Sequence, residues 1–213
     1  MYKRHTENPN LITIPACQYH GSYRLIGNYA MIDQYLRRTE QVMHQAVNHH
    51  RRVTMIRFDL RFPSSWDLEI YPYQLCISQF FRNLNYFLGR DSTGKGRSNK
   101  LRYVWSKEFG EENGRAHYHV AIMVNGDLYR PFGYYQPGMQ SLARMIAMSW
   151  AHALGLWEIE AFGLVHFPNR SAMSFSGGDY QSRSEVFQRI SYLSKVRTKH
   201  YGDGNRSFGF SLS

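Results

Sequence analysis

Residues 101–124, LRYVWSKEFGEENGRAHYHVAIMV, read as two strands joined by a tight polar turn, and this stretch constrains the rest of the chain. Strand side chains alternate faces. His117 and His119 therefore share one face, while Tyr118 joins Val120, Ile122 and Val124 on the other. With the turn closed over Glu112 and Asn113, Glu108 lies opposite His117 and on the same face. Two imidazoles and a carboxylate then meet at one end of a sheet. Such a set suits a divalent metal that keeps open positions for water or phosphate. Glu111 and Glu112 are close by, so the third ligand is Glu108 or a neighbouring carboxylate. A solvated strand face with the same residues would look alike locally, and the set gains weight from what surrounds it.

The surrounding pattern is mixed. Residues 53–62, VTMIRFDLRF, alternate with Thr54, Ile56, Phe58, Leu60 and Phe62 on one side and Arg57, Asp59 and Arg61 on the other. Helical spacing covers 29–50, 73–88, 139–154 and 184–198, with Ser184 as N-cap of the last. Residues 161–167 read as a strand, 206–211 as a short one, and 89–100, 125–137 and 168–183 as loops. Gly89 to Lys95 match the start of a phosphate-binding loop. Gly96 stands where its Ser or Thr belongs, however, and the stretch follows a helix, so ATP binding is rejected, leaving a nucleic-acid backbone contact or a soluble turn. The order is helix, then β-α-β-β-α-β, then helix. This predicts an α+β, ferredoxin-like antiparallel sheet with helices on one face, strands 53–62 and 116–124 central, and an open polar face. The 213 residues read as a single domain, with 1–50 an N-terminal extension and helix and 51–213 the catalytic core.

Net charge is +10 and aromatics make up 15% of residues, a pairing that favours a polyanion whose bases stack, hence nucleic acid. Two cysteines without a C-x-x-C, no signal-peptide core and no apolar run of membrane length predict a soluble cytoplasmic protein with no membrane partner.

The last helix carries Tyr192-Leu193-Ser194-Lys195. Tyr192 and Lys195 are neighbours on one helix face, where an ammonium favours the phenolate and so a nucleophile. A Glu-to-His hairpin (Glu108, His117, His119) followed by a helix, a strand and Tyr-x-x-Lys resembles the HUH endonucleases. The order and spacing are similar to rolling-circle replication initiators (Rep proteins), most of all the inovirus-type ones of phages and prophages, over roughly residues 50–210.

That resemblance implies a metal-dependent single-stranded DNA endonuclease and strand transferase. His117, His119 and Glu108 would bind Mg²⁺ or Mn²⁺, Tyr192 would attack the phosphate, and Lys195 would assist. The products would be a 5′-phosphotyrosine link and a free 3′-OH. Tyr118 fills a position that is hydrophobic in the family pattern, and no second Tyr lies one turn from Tyr192, which implies a one-tyrosine mechanism. The substrate would be single-stranded origin DNA in a bacterial host, with a host helicase and replication proteins as partners. Arg57, Arg61, Arg97, Lys100, Arg102, Arg197 and Lys199 are candidate backbone contacts. A relaxase or single-strand tyrosine transposase of the same superfamily, and a non-catalytic DNA-binding regulator, are the alternatives. A structural zinc protein is disfavoured, because the ligands are too few and too open.

Overall fold

A computed structural model describes residues 3–15, 19–64, 66, 72–110, 114–130, 140–161, 163–197, 199–202 and 204–212. The N-terminal segment holds five short strands, β1 (Lys3–Arg4), β2 (Ile12–Ile14), β3 (Tyr19–His20), β4 (Tyr23–Arg24) and β5 (Met31–Ile32), and leads into α1 (Asp33–His49). There follow β6 (Arg52–Arg61), α2 (Tyr73–Gly94), β7 (Arg102–Phe109), β8 (Ala116–Asn125) and α3 (Leu142–Leu154). The chain continues with β9 (Val165–His166), β10 (Ala172–Ser176), α4 (Tyr180–Ser191), a 3₁₀ turn over Tyr192–Ser194, and β11 (Phe208–Phe210).

The result is a mixed α+β architecture around one antiparallel sheet of order β10-β6-β8-β7-β11, with β9 also paired to β6. β6 and β8 lie side by side in its interior, with Asp59 opposite His119 and Arg61 opposite His117. In the hairpin, Glu108 pairs with His117, the register that strand alternation predicts. The turn residues Glu111, Glu112 and Asn113 lie outside the described residues.

The alternation of β6 separates two apolar layers. Ile56, Phe58, Leu60 and Phe62 join Tyr118, Val120 and Ile122 beneath Phe80, Leu84 and Trp150 of α2 and α3. The Trp150 indole donates to the Arg61 carbonyl at 2.8 Å, which fixes α3 over the end of β6. On the other face Val53 and Met55 meet Met43 of α1 and Val186, Phe187 and Ile190 of α4. The face expected to be open is therefore covered by helices. The reason lies in α1 and α4 themselves, each amphipathic, whose apolar stripes are buried against this sheet face. Arg57, Asp59, Glu108 and His119 are accordingly buried.

Other boundaries move for local reasons. α2 runs to Gly94, so half of the basic loop expected at 89–100 is helical. α4 starts at Tyr180 because the Asp179 side chain accepts from Ser182 N at 3.1 Å. That cap makes Ser184 an interior residue, and the helix ends at Ser191 instead of running to 198. Residues 172–176, read as loop, form β10, whereas the strand expected over 161–167 shrinks to two residues. Both pair with the same edge of β6 and are separated by residues 167–171, where Pro168 lacks a donor and Arg170 takes a left-handed φ of 56°. Gly209 in β11 passes directly over the Trp105 indole, and a Cβ there would lie 2.4 Å from the ring.

Candidate metal and tyrosine centre

The hairpin register puts one ligand atom each from Glu108, His117 and His119 within 4.8 Å of one another. The two histidine Nε2 atoms are 3.3 Å apart, and His119 Nε2 is 3.2 Å from Glu108 Oε2. β6 supplies the support: Asp59 Oδ1 lies 2.5 Å from His119 Nδ1 and Asp59 Oδ2 lies 3.2 Å from His166 Nδ1. A carboxylate on Nδ1 fixes the imidazole orientation and leaves Nε2 for a ligand. Sequence reasoning put Asp59 on this face without giving it that role. The signal was its place on the strand adjacent to the histidines.

Burial alone would raise the Asp59 and Glu108 carboxyls. The hydrogen bond and charge of His119 outweigh it in both, aided by Arg57 for Asp59 and by Lys199 and Lys195 for Glu108, and both carboxyls are held well below the usual range. Burial and the neighbouring His119 push His117 below its ordinary value, so its imidazole stays neutral with a lone pair to offer. Two imidazole nitrogens and one ionised oxygen, converging from one hairpin, could hold a divalent metal ion with coordination positions left open. The described residues thus offer a metal site whose ion the donor set does not specify further.

Tyr192 stands beside this triad. Its ring meets the His119 ring edge-on at 5.4 Å, and the Arg57 guanidinium lies 5.2 Å from its centroid. Lys195 Nζ donates to the Tyr192 hydroxyl at 2.7 Å and to Glu108 Oε2 at 2.9 Å. Burial opposes the Lys195 charge, but Glu108 and Tyr192 more than compensate and raise its pKa. The α4 helix has ended by this point, so another device sets the pair. Lys195 bridges to Met31 of β5, Val196 N donates to the Ala30 carbonyl at 2.8 Å, and the Tyr29 ring packs edge-on against Tyr192. Residues 29–32, expected to open the first helix, instead precede α1, and Tyr29, Ala30 and Met31 position both residues of the Tyr-x-x-Lys motif. Tyr180 and Tyr201 are engaged elsewhere, donating to the Ser22 carbonyl and sharing a hydrogen with Tyr35.

The seven expected phosphate contacts divide. Lys199 is fully buried with its Nζ 3.0 Å from Glu108 Oε1, and burial lowers its pKa to about 8. Arg57 is buried against Asp59 and His119. Arg102 is buried, donating to the Leu212 carbonyl and contacting His49. The structure buries these three where surface cations were expected: Arg57 and Arg102 on the covered sheet, and Lys199 in the segment beyond the 3₁₀ turn. Arg61 is exposed and lines a cavity of about 440 Å³ with Asp59, His117 and Arg115, so it borders the triad. Arg97 and Lys100 are exposed before β7, at the sheet end opposite Glu108. Arg197 is exposed two residues beyond Lys195.

The family model for the YagK/YfjJ C-terminal domain matches residues 15–211. The chain is 32% identical to the uncharacterized protein YfjJ of Escherichia coli (strain K12), over 84% of this chain and 94% of that protein. It is 31% identical to the uncharacterized protein YagK of the same strain, over 84% of this chain and 92% of that protein. No solved structure matches it.

Proposed function

The chain belongs to the YagK/YfjJ C-terminal domain family, and we propose that it is a metal-dependent endonuclease and strand transferase acting on single-stranded DNA, of the kind that initiates rolling-circle replication. The observation that carries this reading is the Tyr192 hydroxyl 2.7 Å from Lys195 Nζ, which itself touches Glu108, a member of the Glu108–His117–His119 triad. A nucleophile, a cation and a metal-ligand set share one cluster. The strand order β10-β6-β8-β7, with β6 and β8 central, supports reading the core as ferredoxin-like, extended by β11 and a second helical layer.

In this reading the Tyr192 oxygen attacks a backbone phosphate in line. A Tyr192 O–P bond forms, the P–O3′ bond breaks, and the proton given up by the phenol is recovered at the 3′ oxygen. Lys195 donates to the phenolic oxygen and stabilises charge as the proton leaves. Asp59 holds His119 in the orientation that presents Nε2, and Arg57 fixes the Tyr192 ring from above. Mg²⁺ or Mn²⁺ held by Glu108, His117 and His119 would polarise the phosphate as a Lewis acid. Arg61 and Arg115, beside the triad, would take the flanking backbone. The setting is the cytoplasm of a bacterial host, with a host helicase opening the duplex.

The test is incubation with a pool of single-stranded oligonucleotides and Mn²⁺, comparing native protein with Tyr192→Phe on a denaturing gel. A covalent protein–DNA band that needs metal and disappears in the variant is expected. A band that persists in the variant would remove Tyr192 as the nucleophile.

A further inference from the structure

A second cavity, of about 550 Å³, opens one helical turn before Tyr192. One wall is a polar stripe of α4. Gln181, Glu185 and Gln188 recur at helical spacing and face the cavity with Arg189, while Val186, Phe187 and Ile190 of the same helix are buried in the core. The opposite wall is the break between β9 and β10, which contributes Arg170, and the floor includes Met173 of β10. Arg170 is the non-glycine residue held at positive φ among the described residues, a conformation met at turns that grip a ligand. Arg189 connects the cavity to the tyrosine centre. Its Nη2 donates to the Asn169 carbonyl at 2.9 Å, its buried Nε has no hydrogen-bond partner among the described residues, and it lies three residues before Tyr192.

An apolar floor, amide and carboxylate groups along one wall and two guanidiniums make a setting for a flat group with donors and acceptors on its edge. A bare phosphate would use only the arginines and would leave the Glu185 carboxylate opposed. Arg reads acceptor edges of a base, Gln reads mixed edges, and a carboxylate accepts from an exocyclic amine. Unpaired bases are also recognised by stacking on guanidinium planes. We propose that this cavity receives one unpaired base of the DNA strand, adjacent to the phosphate that Tyr192 attacks, and so sets a nucleotide preference of cleavage. The proposal rests on the nicking reading of Tyr192 and adds how that site chooses its sequence.

The experiment is covalent-adduct formation on a randomised single-stranded DNA pool with Mn²⁺, followed by sequencing of the products, for the native protein and for a variant carrying Glu185→Ala and Gln188→Ala. The readout is the ratio among bases at each position within the products, which does not depend on total yield. A strong bias at one position near the cleaved bond in the native protein, relaxed tenfold or more in the variant, is expected. Equal bias in both proteins at every position overturns the assignment. If the native protein forms no adduct, the nicking reading falls, and the cavity is then judged by binding alone. For this, an oligonucleotide bound in a fluorescence anisotropy assay is replaced by an abasic site at each position in turn. A position where the abasic site weakens native binding at least tenfold, and the variant hardly at all, keeps the base pocket. The absence of such a position removes it.

Discussion

Glu108 does two jobs that different measurements separate. It is a metal ligand in the proposed centre, and it is the partner of two buried ammonium groups, with Lys199 and Glu108 side chains 0% and 1% exposed. Removing one partner of a buried ion pair leaves an uncompensated charge and typically costs about 3–5 kcal/mol. Glu108→Ala is therefore expected to lower the unfolding free energy by about that amount in urea denaturation, independently of metal. His117 is only half-buried and, among the described residues, forms no ion pair, so His117→Ala is expected to abolish metal-dependent adduct formation while costing under about 1 kcal/mol of stability. Equal destabilisation by the two substitutions would show that Glu108 is not the counter-charge of the lysines. At this scale the ligand candidates were legible, because strand alternation and hairpin register are local geometry. The partners of Glu108 were not, since Lys199 reaches it from 91 positions away in the chain.

Elements are tied together by side chains whose protonation matters. His50, at the end of α1, accepts from Lys100 N at 3.1 Å, joining that helix to the segment that enters β7. Burial, opposed by the Lys100 backbone bond, holds its imidazole below the usual value of 6.5. A depressed histidine favours the neutral form in the folded state, so its contribution is complete above pH 6.5 and is lost as the pH falls below that value, where the unfolded chain takes up the proton first. Native protein is expected to lose stability between pH 7 and 5, and His50→Gln, which keeps an acceptor without titrating, is expected to lose less. His117 titrates in the same sense in both proteins, so the difference between their pH profiles in thermal melts reports His50. Parallel profiles would remove the role assigned to it. Element boundaries themselves were partly legible. The strands at 53–62 and 116–124 have a period that only a sheet satisfies, whereas β10 hid in a Ser- and Gly-rich stretch whose strand form comes from pairing with β6.

Over the whole molecule the +10 charge is unevenly useful. Arg61 and Arg115 border the triad, while Arg97 and Lys100 stand at the far end of β7, about 20 Å away at strand rise. In titrations of single-stranded DNA against salt, Arg61→Ala is expected to weaken binding and to reduce the slope of log K against log salt by about 0.7. Arg97→Ala with Lys100→Ala is expected to change neither by a measurable amount. A larger effect from the distant pair would move the binding track off the cavity beside His117. Among the described residues, no helix is long and apolar enough to cross a membrane.

The sequence by itself determined what periodicity and local chemistry determine: the alternating strands and the common face of His117, His119 and Glu108. Each follows from backbone geometry over a few residues, where side-chain direction is set by the strand or helix itself. Only the tertiary structure decided that α1 and α4 cover the second face of the sheet, and that Lys199, Arg57 and Arg102 turn inward. It also decided that the β5 segment pins Lys195 and that Asp59 backs His119. Those outcomes depend on which amphipathic surfaces find one another across the chain, and burying one of them turns an apparent solvent cation into the counter-ion of a carboxylate.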